Sequence, residues 1–286
     1  MSQLKESNSN RIADFEADEK YNELKVYLKD MGGVVVAFSG GVDSSLLLAA
    51  AGDALGEKAL AVTACSPSFP KHEKEQAENI AHQLGTRHIF FNSNEIDIPD
   101  YRANPPERCY FCKHELFREI KRISKQESIS IVLDGTNYDD RFDIRPGRKA
   151  ALELGIRSPL LELKLGKEMI HRMAKERGLP NWDQPPCACL ASRIPYGQEI
   201  TPARLERIAQ TEQKIKELGF RVVRVRDHGD LARIEVGLDE FDTACKKETR
   251  NILKNICKEH GYFFACLDLE GYRVGSLNEV LDTSKS

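Results

Sequence analysis

The chain has 286 residues, a length typical of two domains or one large one. Its 42 Lys and Arg residues nearly balance 45 Asp and Glu residues, which disfavours a general nucleic-acid binder with a basic excess. Apolar residues make up 41% and charged residues 30%, as in globular proteins rather than disordered ones. The longest apolar run, residues 46–51, is far shorter than the ~18 residues that a membrane span needs, and no apolar signal core follows the N-terminus. We therefore expect a cytoplasmic protein with no membrane partner.

Strands and helices are predicted to alternate in the first part of the chain. Residues 1–14 are predicted to be a polar tail, followed by a helix in which Tyr21, Leu24 and Leu28 recur at helical spacing. The predicted strands are 34–38, 60–64, 88–91 and 129–133, and further helices are predicted at 42–55, 71–84 and around 116–123. Because such alternation forms crossover units, residues 15–181 are predicted to form a doubly wound α/β domain with a parallel sheet.

The pattern changes after Asn181. Residues 184–189 contain two prolines and two cysteines and are predicted to be a structured loop or linker. The predicted elements that follow are a helix at 202–218, strands at 220–226 and 231–236, a helix at 238–260 and a strand at 262–267. Residues 182–286 are therefore predicted to be a smaller α+β domain.

A glycine-rich segment lies where the first strand becomes a helix. Gly40 and Gly41 allow a tight turn that leaves backbone N–H groups open to an anion, and the helix N-terminus favours phosphate. Asp43 has no obvious role in holding an anion unless it orients the loop or holds Mg²⁺. The candidate cofactor-binding residues here are Ser39, Gly40, Gly41, Asp43, Ser44 and Ser45. The alternative interpretation is a strand-to-helix turn that binds no ligand.

A second polar segment, Asp134, Gly135 and Thr136, ends the fourth predicted strand. In open α/β sheets the ligand crevice lies at the carboxyl ends of the strands. We therefore expect these three residues to face the nucleotide.

The segment Ser39–Ser44 reads S-G-G-V-D-S and lacks the lysine of a Walker A loop. It resembles the PP-loop of the ATP pyrophosphatase superfamily, whose fold is that of the adenine nucleotide α-hydrolases. That resemblance implies that ATP, with Mg²⁺, is cleaved to pyrophosphate while AMP is transferred to a substrate oxygen. NAD and GMP synthetases, asparagine synthetase and tRNA-thiolating enzymes share this loop, so the loop alone does not select a function.

Several further segments select among these families. They are Asp134–Asp140 (D-G-T-N-Y-D-D), Asp143–Gly147 (D-I-R-P-G), Ser158–Leu160 (S-P-L), Cys189–Gly197 (C-L-A-S-R-I-P-Y-G), Arg224–Arg226 (R-V-R) and Ala232–Glu235 (A-R-I-E). In their order and spacing, over roughly residues 17–282, they resemble the LarE family of ATP-dependent sulfur transferases of nickel-pincer nucleotide biosynthesis. The resemblance implies that a carboxylate of pyridinium-3,5-biscarboxylic acid mononucleotide is adenylated and converted to a thiocarboxylate. It also implies a homo-oligomer.

The same resemblance assigns roles in the C-terminal domain. Cys189 occupies the family's sulfur-donor motif, and Cys187 is close enough to be the donor instead. Arg193 is expected to lower a thiol pKa or to hold AMP or a substrate anion. The candidate substrate-binding residues are Ser192, Arg193, Glu212, Arg224 and Arg226. Arg224 and Arg226 alternate along a strand and so point to one face, which suits a grip on phosphate or carboxylate; the alternative is a solvated charged strand.

Cys109 and Cys112 form a C-x-x-C pair after the proline-containing loop 104–108. This spacing is shared by zinc, redox and iron–sulfur sites. With one distant cysteine the pair resembles the three-cysteine arrangement of cluster-containing sulfur transferases. We therefore predict a [4Fe–4S] cluster on Cys109, Cys112 and Cys189, with Cys187 as the alternative third ligand. Sacrificial transfer of the sulfur of Cys189 itself is the competing hypothesis.

Three other functions compete with sulfur transfer to a mononucleotide. A tRNA thiolase would use the same loop, although the charge balance argues mildly against tRNA as the substrate. Another adenylating ligase of this superfamily would also use this loop. A nucleotide-binding module without chemistry is disfavoured because both the loop and the cysteine motif are intact.

Overall fold

The computed structural model describes residues 2–142, 146–184 and 189–282. The strands are β1 (Val34–Ala37), β2 (Ala59–Cys65), β3 (Arg87–Asn92), β4 (Ile131–Leu133), β5 (Val223–His228), β6 (Leu231–Val236) and β7 (Phe264–Leu267). The helices are α1 (Ser2–Lys29), α2 (Val42–Leu55), α3 (Lys71–Gln83), α4 (Pro99–Arg102), α5 (Arg108–Gln126), α6 (Pro146–Glu153), α7 (Pro159–Glu162), α8 (Lys167–Glu176), α9 (Pro202–Lys216), α10 (Phe241–Cys245), α11 (Lys247–Glu259) and α12 (Glu279–Asp282).

The chain divides into two compact units. The first comprises Met1–Ser66, Lys71–Glu95 and Cys109–Cys187, and the second comprises Pro67–Pro70, Ile96–Arg108 and Ala188–Ser286. The second unit thus contains two segments from the first half of the chain, which a single predicted boundary after residue 181 does not capture.

The first unit is built on a parallel sheet with the strand order β3-β2-β1-β4. In the central strand, Val36 lies opposite Ala61 of β2 on one side and Leu133 of β4 on the other. The chain therefore moves outward from β1 in both directions, and the order reverses between β1 and β4. Such a switch point opens a crevice at the carboxyl ends of the strands. This sheet confirms the predicted α/β fold.

Both faces of this sheet are covered. Val34 and Val36 belong to one apolar cluster with residues of α1, α2 and α8, whereas Val35 belongs to another with Phe117 of α5. Successive side chains of a strand point to opposite faces, so a strand covered on both faces must be apolar throughout. The continuous run of valines in β1 has this cause.

Two predicted element boundaries differ from the structure. Helix α1 begins at Ser2 and so includes residues 2–14, for which the sequence predicts a tail. The apolar periodicity signals only the packed part of the helix, and the polar segment before it gives no such signal. The predicted helix 238–260 is interrupted at Lys246, whose backbone is extended (φ −61°, ψ 143°), and neither glycine nor proline marks that break.

The second unit is an α+β unit, as predicted. Its sheet has the order β5-β6-β7, with β5 and β6 antiparallel and β6 and β7 parallel. Val223 and Val225 of β5 pack in the core with Ile215 of α9 and Ile256 of α11. Arginines therefore occupy the alternate positions of β5, on its other face. Among the described helices, none has the length and apolar character required to cross a membrane.

Candidate functional site

The glycine-rich loop occupies the turn between β1 and α2, at the switch point of the sheet. Gly40 has a left-handed backbone with φ +75°, which side chains rarely adopt. A Cβ at Gly40 would also stand 3.2 Å from the Cβ of Ala77 on α3. Both the backbone and the close approach of α3 therefore require glycine at this position.

Two serine hydroxyls tie the loop to the first turn of α2. Ser44 Oγ donates to the carbonyl oxygen of Gly41 over 3.0 Å and accepts from the backbone N–H of Ser39 over 3.3 Å. Ser39 Oγ accepts from the N–H of Gly41 over 3.3 Å and lies 3.1 Å from Ser44 Oγ. The loop is thus closed by its own hydroxyls at a helix N-terminus, where backbone N–H groups and the helix dipole favour phosphate.

The segment after β4 lies beside this loop, as its position at the end of the neighbouring strand predicts. A Cβ at Gly135 would stand 3.0 Å from the backbone nitrogen of Ser44. Asp134 shapes the segment by accepting from Thr136 Oγ1 over 2.8 Å and from Ser158 Oγ over 2.6 Å. The structure therefore brings the two predicted halves of the nucleotide site together.

Asp43 points a carboxylate toward the same region. One oxygen accepts from Asn137 Nδ2 over 3.2 Å, and the other, Oδ1, is buried with no hydrogen-bond partner among the described residues. Burial raises the pKa of the Asp43 carboxyl above its ordinary value, and the nearby charge of Asp140 raises it further. The hydrogen bond from Asn137 and the charge of Lys167 oppose that rise in pKa. A buried oxygen with no donor is suited to a cation.

Sequence reasoning missed three polar residues at this site. Asn137 is fully buried, donates to Asp43 and accepts from the N–H of Asp140 through Oδ1 over 3.2 Å. Asn181 is also fully buried and, with Gln76, donates to the carbonyl oxygen of Gly40. Asn137 lies two residues beyond Gly135, in the polar segment that follows β4, and that position is a usable signal. For Asn181 and Gln76 the sequence offers none.

The C-x-x-C pair lies at the start of α5. The preceding residues 104–107 form a loop, as predicted, and Cys109 and Cys112 occupy the first turns of the helix. Cys109 is exposed and Cys112 half-buried, and a Cβ at Gly147 of α6 would stand 3.2 Å from the Cys109 carbonyl oxygen. Within the described ranges, no three His, Cys, Asp or Glu side chains are grouped closely enough to hold a metal ion.

Cys189 is exposed and precedes a short 3₁₀ turn, Leu190–Arg193. The Arg193 guanidinium donates back to the Cys189 carbonyl oxygen and to Ser192 Oγ, each over 3.1 Å. Arg193 thus fixes the backbone next to the cysteine. Cys187, the alternative donor, lies outside the described residues.

Arg193 and Glu212 form a buried ion pair in the second unit. Two parallel hydrogen bonds of 2.8 and 2.9 Å join them, and the side chains are only 4% and 6% exposed. Glu212 also accepts from the N–H of Val225 over 2.8 Å. Burial alone would raise the pKa of Glu212, but the charges of Arg193 and Arg224 hold it below its ordinary value. This carboxylate is therefore ionised and holds α9 against β5.

The two arginines of β5 are buried, so the solvated-strand alternative is wrong. Arg226 makes two hydrogen bonds to Glu235, of 2.8 and 2.6 Å, and donates to the Ser192 carbonyl oxygen over 2.9 Å. Arg224 lies over the ring of Tyr272 at 5.1 Å and donates to the carbonyl oxygen of Val223. Arg226 therefore joins Glu235 of the neighbouring strand to the backbone of the segment that follows Cys189.

Comparison of the whole chain with known proteins shows which families it is similar to. The sequence profile of the NAD synthase family matches residues 16–105. The chain is 26% identical to a glutamine-hydrolyzing GMP synthase chain of Archaeoglobus fulgidus, over 68% of this chain and 67% of the relative. It is 40% identical to an uncharacterized protein of Synechocystis sp., over 92% of this chain and 98% of the relative.

A further relative has a named activity. It is the pyridinium-3,5-bisthiocarboxylic acid mononucleotide synthase of Lactiplantibacillus plantarum, and the identity is 34% over 90% of this chain and 93% of the relative. Such identity over nearly the full length of both chains confirms the resemblance inferred from the motifs. The chain belongs to the family of this synthase, the LarE family of ATP-dependent sulfur transferases.

Proposed function

We propose that this protein uses ATP to adenylate a carboxylate of pyridinium-3,5-biscarboxylic acid mononucleotide and then replaces AMP by sulfur, giving a thiocarboxylate. The observation that carries the proposal is the hydroxyl-closed loop at the N-terminus of α2, in a chain 34% identical to a synthase of the bisthiocarboxylic acid mononucleotide. A carboxylate is a poor electrophile, and AMP makes a good leaving group of its oxygen.

The proposed first step is attack of a substrate carboxylate oxygen on the α-phosphorus of ATP. The new P–O bond forms as the bond to the bridging oxygen breaks, and the electron pair leaves with pyrophosphate. The proposed anchors for the β- and γ-phosphates are the N–H groups of the loop together with the hydroxyls of Ser39, Ser44 and Ser45. Asp134, Gly135 and Thr136 complete the nucleotide site in this proposal. The protein's contribution is then positioning and charge stabilisation.

Mg²⁺ fits the residues at this site. The metal prefers oxygen ligands and is usually held by one or two carboxylates together with substrate phosphates, rather than by a cage of protein ligands. Asp43, whose buried Oδ1 has no hydrogen-bond partner among the residues that the structure describes, is the proposed protein ligand. When bound, the metal would neutralise charge on the phosphates.

The proposed substrate site lies in the second unit and comprises Ser192, Arg193, Glu212, Arg224 and Arg226. Arg193 holds the carboxylate of Glu212 by two hydrogen bonds. Arg226 holds the carboxylate of Glu235 in the same way. We assign Arg193 and Arg226 to shaping the site through these pairs. Arg224 lies over the ring of Tyr272, and its positive charge acts on Glu212; we assign it to contact with the mononucleotide on the basis of the family resemblance of the R-V-R segment.

The proposed sulfur donor is Cys189, with Cys187 as the alternative. The Cys189 thiolate attacks the acyl carbon of the adenylate, a C–S bond forms and AMP leaves. Removal of the Cα proton then breaks the Cβ–S bond, so the substrate departs as a thiocarboxylate and residue 189 becomes dehydroalanine. Each chain acts once in this version. A thiolate is the most nucleophilic protein group near neutral pH, and Cys189 is exposed.

A [4Fe–4S] cluster on Cys109, Cys112 and Cys189 is the competing proposal for the source of sulfur. The C-x-x-C pair at a helix N-terminus suits thiolate ligands. The described residues do not, however, group three potential ligands. When bound by three cysteines, a cluster would supply an iron open to an extra sulfide.

Product analysis tests the proposal directly. Purified anaerobically and supplied with ATP, Mg²⁺ and the biscarboxylic acid mononucleotide, the protein should release AMP and pyrophosphate, and Ser39→Ala should abolish the release. Release of ADP and phosphate would refute the assignment. Iron-free protein whose Cys189 loses the elements of H₂S after one turnover would establish sacrificial transfer. Iron, sulfide and an unchanged protein mass would establish the cluster.

Two remaining proposals concern partners and location. A homo-oligomer is proposed from membership of the family, and light scattering of the purified protein tests it. A cytoplasmic location stays a prediction from composition.

The rival tRNA thiolase is tested by tRNA binding, which would be tight and would weaken steeply with salt.

A further inference from the structure

The carbonyl oxygen of Gly40, in the phosphate loop, is held by two side-chain amides. Asn181 donates to it from Nδ2 over 2.8 Å, and Gln76 of α3 donates from Nε2 over 3.2 Å. Asn181 is fully buried, and Gln76 also donates to the side chain of Gln184. The residue that receives both bonds is the one with a backbone φ of +75°.

These bonds determine which way the peptide between Gly40 and Gly41 faces. The carbonyl and the N–H of one peptide group point in opposite directions because the group is planar and trans. Holding the oxygen on the side of Asn181 therefore directs the Gly41 N–H to the opposite side. Glycine resists rotation of its backbone less than any other residue, so this peptide needs external anchors. The Gly41 N–H so directed donates to Ser39 Oγ over 3.3 Å. A reversed peptide would break that bond and turn an oxygen, in place of the N–H, toward Ser39 and toward a phosphate bound beside it.

Asn181 acts only as a donor toward the loop. Its Nδ2 also donates to Ser45 Oγ over 3.0 Å, so the amide joins Gly40 to the first turn of α2. Its Oδ1 is buried and has no hydrogen-bond partner within the described part of the chain. A carboxylate of the same shape would lose both donated bonds and place negative charge against the Gly40 oxygen.

We propose that Asn181 and Gln76 are positioning residues that hold the Gly40–Gly41 peptide in the orientation that binds pyrophosphate. Neither residue is assigned to contact with the ligand. The inference rests on the proposed function, because it takes the loop to be the site of the β- and γ-phosphates of ATP.

Calorimetry tests the proposal by measuring the binding of two ligands, magnesium pyrophosphate and AMP. The variants are Asn181→Ala, Asn181→Asp and Gln76→Ala. Asn181→Ala should weaken pyrophosphate binding about tenfold, the worth of roughly one hydrogen bond. Asn181→Asp should weaken it more, although it preserves the shape of the side chain, and Gln76→Ala should weaken it less. AMP affinity should stay unchanged in all three variants. Asn251→Asp, on the exposed surface of α11, is the matched control and should bind both ligands normally.

The outcomes separate this inference from the proposed function. Wild-type protein that neither binds pyrophosphate nor releases it from ATP would overturn the proposed function itself. Wild-type protein that binds pyrophosphate while Asn181→Asp binds it equally well would overturn only the positioning role. A parallel loss of pyrophosphate affinity, AMP affinity and thermal midpoint would also overturn it, since that pattern indicates a general structural role.

Discussion

Gly135 approaches the backbone of Ser44 so closely that a Cβ on Gly135 would stand 3.0 Å from the Ser44 nitrogen and 3.2 Å from its Cα. These two residues follow β4 and β1, the strands that flank the switch point of the sheet. The contact therefore sets how closely the two halves of the nucleotide site approach each other.

Gly135→Ala should impair ATP use, because the added methyl meets backbone atoms that cannot rotate away. Inserting a methyl into a packed site typically costs about 1–3 kcal/mol. We expect a raised KM for ATP, measured by pyrophosphate release. Gly33→Ala is the matched control, since a Cβ there meets its nearest atom, the carbonyl oxygen of Lys58, at an ordinary 3.5 Å. Equal effects of the two variants would contradict the explanation.

Asp43→Asn should abolish turnover while stabilising the protein without ligands at neutral pH. The folded state raises the pKa of this carboxyl, mainly by burial, so the folded state binds its proton more tightly than the unfolded state does. Stability therefore falls as the pH rises from the ordinary value of 3.8 through the raised folded pKa, and the full loss is reached above that folded pKa. Asparagine has no titrating carboxyl, so Asp43→Asn removes this loss of stability. Urea unfolding at neutral pH should show a higher midpoint for the variant, and a lower midpoint would contradict this prediction.

Glu212→Gln should destabilise the second unit strongly. Removing one partner of a buried ion pair leaves the other charge uncompensated, at a cost of about 3–5 kcal/mol. Glu217→Gln provides a control at the C-terminal end of the same helix, where Glu217 pairs with Lys214 in solvent. We expect no measurable change in its unfolding free energy. Chemical denaturation of both variants checks the prediction.

Acidification should destabilise the second unit through Glu212 and Asp227. Burial would raise the pKa of each carboxyl, but Arg193 holds that of Glu212 below 4.5 and Arg207, with Arg204, holds that of Asp227 below 3.8. Groups with depressed folded values contribute stability above their ordinary pKa and lose it as the pH falls through the folded pKa. Unfolding midpoints should therefore drop as the pH falls below about 4.5. Constant midpoints across that window would contradict the assignment.

Arg224→Ala and Arg226→Ala should differ in kind. Arg224→Ala should weaken mononucleotide binding about tenfold to a hundredfold, since a hydrogen bond to a charged group is worth roughly 1.5–3 kcal/mol, with ATP affinity retained. Arg226→Ala should mainly lower the thermal midpoint, because the buried Glu235 then loses its two hydrogen bonds to Arg226 and, among the described residues, keeps only the 3.3 Å contact with Arg233. Calorimetry and thermal unfolding separate the two effects. Unchanged mononucleotide affinity in Arg224→Ala would remove that residue from the substrate site.

The strand-to-helix order of the first unit could be predicted from the sequence because its inner strands, β1 and β2, are buried over most of their length. That burial makes β1 a continuous apolar run and β2 an apolar run interrupted only by Thr63, so the polar loop residues stand out at the strand ends. The predicted bounds of helix α2 match the observed ones, since Gly41 and Gly56 flank an apolar segment. Where polar residues continue a helix, as in the first turns of α1, the sequence carries no such contrast.

Local chemistry could be predicted from the order of the residues: the loop Ser39–Ser44, the segment after β4, the cysteine motifs and the family. The distant side chains that form hydrogen bonds or ion pairs with these segments could be identified only from the folded chain. Asn181 reaches Gly40 from 141 positions away in the chain, and Arg226 takes Glu235 as its partner on the neighbouring strand. A buried polar group must find a partner wherever packing places one, because an unsatisfied donor or charge in the interior costs more than a mismatch in solvent. That partner is set by the approach of elements in space, which spacing along the chain does not encode.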